Sequence, residues 1–253
     1  MQPSHIAPVT ELAVVVPARD EAALLPACLD ALEVALGCLR HERPEVRATT
    51  TVVLDRCTDA SARVVAERPW VDVVEIDAGC VGVARAVGIS AATRLHEGHP
   101  PTDPRRVWVA STDADSVVPS HWLTRQLGFA DEGVDAVVGT VDPDEHDLGT
   151  TLLSRWRSQH PAVEDHPHVH GANLGVRLSA YLAVGGFPPV RVHEDALLVD
   201  ALRRAGHPTQ ATHHLPVRTS GRVHGRTPAG FAAYLRGLAA DLSPGTPTAV
   251  PDA

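Results

Sequence analysis

The first half of the chain alternates short apolar runs with amphipathic helical patterns. Four runs have the length and composition of buried strands, namely Leu12–Val16, Thr50–Leu54, Val71–Ile76 and Val107–Ala110. Helical patterns follow the first three, at Glu21–Leu36, Asp59–Glu67 and Val81–Leu95. Near-continuous apolar strands joined by helices are typical of a parallel sheet that is covered on both faces. The pattern therefore predicts an α/β fold for this half.

The second half has a less regular pattern. It predicts helices at His121–Ala130, Leu152–His160, Asp195–Arg204 and within Thr227–Leu242, and strands at Ala136–Gly139 and Asn173–Arg177. An acidic loop is expected at Asp142–Asp147. The last eleven residues, 243–253, are rich in proline and are expected to be disordered. A length of 253 residues suits a single domain with two halves.

Composition excludes several kinds of chemistry. The chain has no lysine, since all 22 of its basic residues are arginine. A P-loop and Schiff-base catalysis both need a lysine amine, so neither is available. The net charge of −9 argues against binding nucleic acid or an anionic membrane by charge alone.

Targeting signals are not evident either. No apolar stretch approaches the ~20 residues of a membrane span, and the N-terminus resembles no secretory signal. We therefore expect a cytoplasmic protein without a transmembrane segment. The four cysteines form no Cys-x-x-Cys pair, which predicts free, mostly buried thiols rather than a zinc site.

Two aspartates follow the fourth apolar run. Asp113 and Asp115 are two residues apart, so in a strand they would share a face at its carboxyl end, where open α/β sheets bind ligands. Two close carboxylates repel each other unless a cation lies between them, and a divalent ion with oxygen ligands is a common solution. The simpler alternative is a turn that ends the strand, because Asp and Ser favour turns.

Other polar residues follow the earlier strands. The first strand leads into Val16-Pro-Ala-Arg-Asp-Glu21, which could hold an anion on free amides or could merely start a helix. Asp55 ends the second strand, where a carboxylate can accept hydrogen bonds from a base or a ribose. Arg85, within Gly82-Val-Ala-Arg85, could contact a diphosphate or a base, or could be an ordinary ion-pair partner.

Taken together, these segments resemble the opening of family 2 glycosyltransferases. Those enzymes have the GT-A fold, a mixed and mostly parallel Rossmann-like sheet flanked by helices, and use nucleotide-activated sugars. Further segments resemble the acceptor half of the family, namely His170-Gly-Ala-Asn-Leu-Gly-Val-Arg177, Val184-Gly-Gly-Phe187 and His193-Glu-Asp195. The resemblance covers roughly residues 11–235. It implies an N-terminal extension at 1–10, a donor half at 11–118 and an acceptor half at 119–242.

The resemblance also implies roles for individual residues on the donor side. The nucleotide-sugar pocket would be lined by Pro17, Ala18, Arg19 and Glu21, with Asp55 reading the base and Arg85 beside it. Asp113 would lie near the ribose. Asp115 would hold a divalent metal, Mn²⁺ or Mg²⁺, that bridges the diphosphate. His224 resembles the C-terminal histidine with which some GT-A enzymes complete the metal shell; the equal alternative is that it belongs to a basic loop and binds no metal.

On the acceptor side, the Glu194-Asp195 pair carries the chemistry that the resemblance implies. Asp195 would be the general base that takes a proton from the acceptor hydroxyl, with Glu194 as the alternative. This indicates a hexosyltransferase-type enzyme that inverts the sugar's configuration. A UDP-sugar donor is favoured over GDP-mannose, and the acceptor could be a small molecule or a lipid headgroup. From the residues alone, the pair could equally be acids that cap a helix.

Two other functions compete with this one. Asp113-Ala-Asp-Ser-Val117 also matches the Asp-x-Asp-x-Val motif of haloacid-dehalogenase-type phosphatases, although those keep it near the N-terminus and normally use a lysine. A non-catalytic nucleotide-sugar binding protein is the second alternative. The cluster His166-Pro-His-Val-His170 could bind a metal, but it has no evident fourth ligand, so a polar acceptor-side loop is expected instead.

Overall fold

The computed structural model describes residues 6–94, 103–225 and 230–240. Its strands are β1 (Glu11–Ala18), β2 (Arg47–Asp55), β3 (Asp72–Ile76), β4 (Val107–Ser111), β5 (Ser116–Val117), β6 (Ala136–Pro143), β7 (Leu174–Arg177) and β8 (Thr209–Thr219). Its α-helices are α1 (Leu25–Glu42), α2 (Ser61–Ala66), α3 (Val81–Ala92), α4 (Trp122–Asp131), α5 (Thr150–Gln159), α6 (Leu178–Ala183), α7 (Glu194–Arg204) and α8 (Phe231–Ala240). Short 3₁₀ turns occupy Pro104–Arg106 and Gly171–Asn173.

All these strands belong to one mixed sheet, in the order β3-β2-β1-β4-β7-β6-β8-β5. The first four strands of this order run parallel, and β7 pairs antiparallel with both β4 and β6. The carboxyl ends of β1, β2, β3 and β4 therefore lie at the same edge. The predicted mixed sheet flanked by helices is confirmed, and this edge is where its ligand site is expected.

Alternate residues of β1 enter two different apolar cores. Leu12, Val14 and Val16 pack with α1 and α4, whereas Ala13 and Val15 pack with α3, α6 and α7. Since both faces of the sheet are covered by helices, the central strands can be apolar at every position. This is why β1 and β4 stood out as unbroken apolar runs.

The chain divides into two compact units. One comprises the residues up to Asp142 together with Ala162–Thr219, and contains the sheet. The other comprises Pro143–Pro161 and the described residues from Ser220 onward, and contains α5 and α8. In the second unit, Trp156 stacks on His160 with ring centroids 3.5 Å apart, and Phe231 and Tyr234 pack edge-on against Trp156.

The predicted helices and strands are present, with shifted ends. Helix α1 begins at Leu25 rather than Glu21, because the residues before it form a loop. Strand β6 runs on to Pro143, so the predicted acidic loop begins two residues late. The sequence patterns missed β5, α6 and β8. The predicted tail at 243–253 lies outside the described residues.

The cysteines and the membrane-span prediction are the remaining points of comparison. The four cysteines are free thiols, as predicted, but burial is complete only for Cys28, while the other three are partly exposed. Across the described ranges, no helix combines the length and the apolar character that a bilayer crossing requires.

Close contact between α3 and the sheet depends on Gly88. A Cβ atom there would lie 2.5 Å from Val15 Cγ1 and 2.8 Å from Val53 Cγ2. We expect Gly88→Ala to lower the free energy of unfolding by about 1–3 kcal/mol, because the helix must move away from the strands. Gly128→Ala in α4 is the matched control, since no atom lies within 4 Å of the Cβ that this alanine would add.

The control should be neutral or stabilising, because alanine favours a helix over glycine by about 0.5–1 kcal/mol. Urea denaturation followed by circular dichroism measures both variants. Equal stability changes at the two positions would contradict the close approach of α3 to the sheet.

Candidate functional site

The two aspartates lie in a turn, not in a strand. Strand β4 ends at Ser111, and Thr112–Asp115 leads from it into β5. The amide of Ser116 donates to the carbonyl of Asp113 at 3.1 Å, which closes the turn. The rule that alternate side chains of a strand share a face therefore does not apply to Asp113 and Asp115. The prediction that they lie at the carboxyl end of β4 nevertheless holds.

The two carboxylates have different partners. Asp113 forms an ion pair with Arg85 and remains 37% exposed in its side chain. Asp115 Oδ1 accepts a hydrogen bond from Thr219 Oγ1 at 3.3 Å, and lies 3.4 Å from the hydroxyl of Ser116. The guanidinium of Arg85 thus compensates the charge of Asp113. The role of Asp115 as a metal ligand stays a prediction.

Cys28 lies beneath this turn. Its thiol donates to the carbonyl of Asp113 at 3.4 Å. Burial, followed by the negative charges of Asp115 and Asp113, raises the pKa of the Cys28 thiol far above its usual value. The thiol therefore stays protonated and has no role as a nucleophile.

Arg85 is buried at the centre of the site. Its side chain is 3% exposed, and its Nε donates to Ser111 Oγ at 3.1 Å. The two terminal nitrogens pair with Asp113 and with Glu194. The guanidinium also lies over the ring of Phe187, 5.8 Å from its centroid. Arg85 is therefore an ion-pair partner, in the interior rather than at the surface, and its contact with a diphosphate or a base stays a prediction.

Glu194 and Asp195 begin α7 but differ in environment. The Glu194 side chain is 4% exposed and faces Arg85. Asp195 is half-buried, and its Oδ2 accepts a hydrogen bond from the amide of Gly171 at 2.6 Å while its Oδ1 accepts from the amide of Ala196 at 2.8 Å. The pair therefore does more than cap a helix, because each carboxylate is bound to a different part of the fold.

Gly171 is required by its proximity to Arg85. A Cβ atom at this position would overlap the guanidinium of Arg85. The amide of Gly171 also fixes Asp195, so the 3₁₀ turn touches both the buried arginine and the acceptor-side carboxylate. Sequence reasoning noted this segment only as part of a motif and missed its contacts.

The loops after β1 and β2 are bonded to each other. Asp20 Oδ1 accepts hydrogen bonds from the amides of Thr58 at 2.6 Å and Asp59 at 3.2 Å. The amide hydrogen bond from Thr58 lowers the pKa of Asp20 below its usual value, although burial opposes this. In return, Asp59 Oδ2 accepts from the amide of Ala22 at 2.8 Å. Asp20 therefore joins two loops instead of capping α1.

The remaining candidates for the nucleotide pocket lie on the first of these loops. Pro17 is partly buried, Ala18 is buried and Arg19 is exposed. Glu21 is buried, and its amide donates to Ser61 Oγ at 2.9 Å. All of them lie at or just after the carboxyl end of β1, as the sequence predicted.

Asp55 holds the loop that precedes α3. Its Oδ1 accepts from the amides of Ala78 at 2.9 Å and Gly79 at 2.7 Å, and its Oδ2 accepts from Cys80 at 2.9 Å. The side chain is buried, with 4% exposure. A carboxylate has about four acceptor positions, so these amides occupy most of them.

Two histidine predictions concern the segment His166–His170 and His224. The rings of His166, His168 and His170 lie in succession, with centroids 6.2 and 6.4 Å apart, as an extended segment requires. His166 is buried, and its Nε2 lies 3.3 Å from the carbonyl oxygen of Thr212. His224 is an exposed residue of the second unit, and its role as a metal ligand stays a prediction.

Solved structures with a similar fold include glycosyltransferases. TarS of S. aureus (residues 1–349) has a TM-score of 0.58 at 15% identity, over 83% of this chain and 60% of that one. Mannosyltransferase PcManGT of Pyrobaculum calidifontis, in complex with GDP-Man and Mn²⁺, has a TM-score of 0.57 at 20% identity, over 92% and 63%. Glucosyl-3-phosphoglycerate synthase of Mycobacterium tuberculosis, with Mn²⁺, UDP and phosphoglyceric acid, has a TM-score of 0.55 at 18% identity, over 91% and 76%.

The chain thus spans less than two thirds of the first two of these proteins. No curated protein sequence matches it with significance. The likeness to these structures confirms the predicted GT-A fold class. The profile described as Glycosyl transferase family 2 matches residues 13–174, which is more than half of the sequence. The chain belongs to glycosyl transferase family 2.

Proposed function

We propose that this chain transfers a hexosyl group from a nucleotide-sugar donor to an acceptor hydroxyl, with a divalent metal and with inversion. One observation carries the proposal. A single buried arginine connects the turn that holds Asp113 and Asp115 to the helix start that holds Asp195. A glycosyl transfer needs one carboxylate for the donor's metal and another for the acceptor. Here Arg85 pairs with a residue of each of the two segments that carry them.

The donor would bind at the shared edge of the parallel strands. Pro17, Ala18, Arg19 and Glu21 lie at the end of β1 or just after it, and Asp55 ends β2 at the same edge. Because Asp55 already accepts three amide hydrogen bonds, we propose that it shapes the pocket through the loop at Ala78–Cys80 and has little capacity left for a base. Arg85 would act indirectly as well, by holding Asp113 beside the place where the ribose would bind.

The carboxylate oxygens of Asp115 suit a hard divalent cation, which proteins often bind through one or two carboxylates and the phosphates of a substrate. Two proteins of similar fold were solved with Mn²⁺, one together with GDP-Man and the other together with UDP. Both pairings of metal and nucleotide support this choice. Such a metal offsets the charge that develops on the departing nucleoside diphosphate. We favour a UDP-sugar and propose His224 as a further ligand on the strength of the family resemblance.

Asp195 is proposed as the base. Its carboxylate is fixed by the amides of Gly171 and Ala196, and the residue is only partly buried, so an acceptor hydroxyl could reach it. Direct attack by that hydroxyl on the sugar carbon would invert the configuration, and the proton would pass to Asp195. Glu194 is the weaker candidate, because it is buried against Arg85.

The metal requirement is tested by calorimetry. Wild-type protein should bind UDP or GDP with Mn²⁺ and much more weakly in excess chelator. Asp115→Asn should reduce the Mn²⁺-dependent affinity by at least about 10-fold, since even supporting residues of metal sites contribute about 10–100-fold. His224→Ala should lower it as well if this histidine is a ligand.

Asp72→Asn is the matched control for these titrations. Asp72 is exposed at the start of β3, at the opposite end of that strand from the proposed pocket, so its removal should leave binding unchanged. Equal affinity with Mn²⁺ and with chelator would remove the metal from the proposal. An unchanged titration for His224→Ala alone would remove only that ligand.

The base is tested by kinetics. Asp195→Asn should lower the transfer rate by about 10²–10⁴-fold, because asparagine keeps the shape but cannot take the proton. The dissociation constant for the nucleoside diphosphate should stay nearly unchanged, because the base acts on the acceptor. Inversion is read separately, from the anomeric configuration of the product by NMR.

Glu194→Gln is the internal control, and its stability must be measured beside its rate. Removing one partner of a buried ion pair costs about 3–5 kcal/mol, so this variant should lose stability. Asp200→Asn, which breaks an exposed pair with Arg204 in the same helix, should cost only about 0.3–0.5 kcal/mol. If Glu194→Gln slows a folded protein more than Asp195→Asn does, then Glu194 is the base.

A further inference from the structure

Glu164, His213 and His214 form a second group of metal-binding side chains, apart from the proposed donor pocket. One ligand atom from each lies within 4.8 Å of the other two. His213 Nδ1 is 2.7 Å from Glu164 Oε1, and His214 Nε2 is 3.7 Å from the same oxygen. All three belong to the unit that contains the sheet. Nothing in the proposed transfer reaction uses them.

A distortion of β8 brings the two histidines together. Neighbouring residues of a regular strand point to opposite faces, yet the rings of His213 and His214 are 4.1 Å apart. Just before them, Ala211 and Thr212 are both buried, which breaks the alternation of the strand. The amide of His214 also donates to the hydroxyl of Thr212 at 3.2 Å, a side-chain contact that regular strand pairing does not provide.

Supporting hydrogen bonds fix the carboxylate of Glu164. Its Oε1 accepts from Thr212 Oγ1 at 2.9 Å and from the amide of His213 at 3.1 Å. Gln210 Nε2 lies 3.5 Å from Oε2. A carboxylate held in this way resembles the supported ligands of metal sites.

An ion pair with Glu164 does not fully explain the position of the His213 ring. Its Nδ1 is buried and close to Glu164 Oε1, but it makes no hydrogen bond within the described part of the chain. The two atoms therefore approach each other without the alignment that a hydrogen bond needs. Buried polar atoms normally have a partner, and a cation between the three side chains would supply one.

We propose that Glu164, His213 and His214 bind a Zn²⁺-class cation. Two ligands of a tetrahedral zinc ion with bonds of about 2.0–2.1 Å are about 3.3 Å apart. The measured separations of 2.7 and 3.7 Å lie on either side of this value. Two imidazoles and one carboxylate favour zinc over Mg²⁺ or Mn²⁺, which prefer oxygen ligands. The ion would join the segment around Glu164 to β8 and stabilise that contact.

Zinc binding is tested on untagged, metal-stripped, full-length protein. Calorimetry with Zn²⁺ in excess Mg²⁺ should show one strong site, and Co²⁺ should give the intense visible absorption of a tetrahedral ion. His214→Gln and Glu164→Gln should each weaken zinc binding by at least about 10-fold and abolish the rise in melting temperature that zinc causes. His214 is 60% exposed in its side chain, so its replacement does not disturb the core.

Two controls separate this site from other histidines and from the donor metal. His146→Gln removes an exposed histidine that pairs with Asp144, and it should bind zinc like the wild type. Asp115→Asn should also keep the zinc site. The proposal is overturned if His214→Gln and Glu164→Gln bind zinc as the wild type does, or if Asp115→Asn abolishes the binding.

Discussion

The buried ion pairs of Arg85 are the interaction on which the site depends. A guanidinium that is 3% exposed cannot stay in the interior without anionic partners, and Asp113 and Glu194 supply them. These partners come from the turn after β4 and from the start of α7, so the arginine fixes both to α3. Asp195 follows Glu194 directly and is bound in turn to Gly171. Asp113 and Asp195, the proposed donor-side and acceptor-side carboxylates, therefore both depend for their positions on the charge of Arg85.

The same constraint explains the small residues around the arginine. Gly171 must lack a side chain because the guanidinium occupies that space. Gly82 has no room for a Cβ either, since the carbonyl of Pro188 and the side chain of Glu194 lie against it. Helix α3 can thus approach both the sheet and α7 closely. Packing and electrostatics act together here, because the close approach is what buries the ion pair.

The sequence predicted the parallel half of the fold well, for a physical reason. Strands buried on both faces are apolar at every position, so β1 and β4 were visible as unbroken runs. Strand β8 was missed because its first six residues, Thr209–His214, include a single apolar side chain, Ala211, and Pro216 interrupts the rest. The Asp113–Asp115 pair was placed at the correct edge, although in a turn rather than a strand.

Partners of charged residues could not be predicted in the same way. Arg85 and Glu194 are separated by 109 positions, and only the folded chain brings them together. Likewise, no sequence pattern indicates that Asp55 is bonded to amides of a loop more than twenty residues away. The adjacent histidines 213 and 214 could have suggested a metal site from the sequence. Their approach to Glu164 depends on the irregular part of β8, which the sequence does not show.

Membership in glycosyl transferase family 2 leaves the dehalogenase-type phosphatase without support, so the remaining alternative is a protein that binds nucleotide sugars without turning them over. The most direct measurement is the release of nucleoside diphosphate from a panel of UDP- and GDP-sugars with Mn²⁺ and a range of acceptor alcohols. The account predicts release from one class of donor, dependent on the metal and faster with an acceptor. Binding of a nucleotide sugar that stays intact under every condition would contradict it.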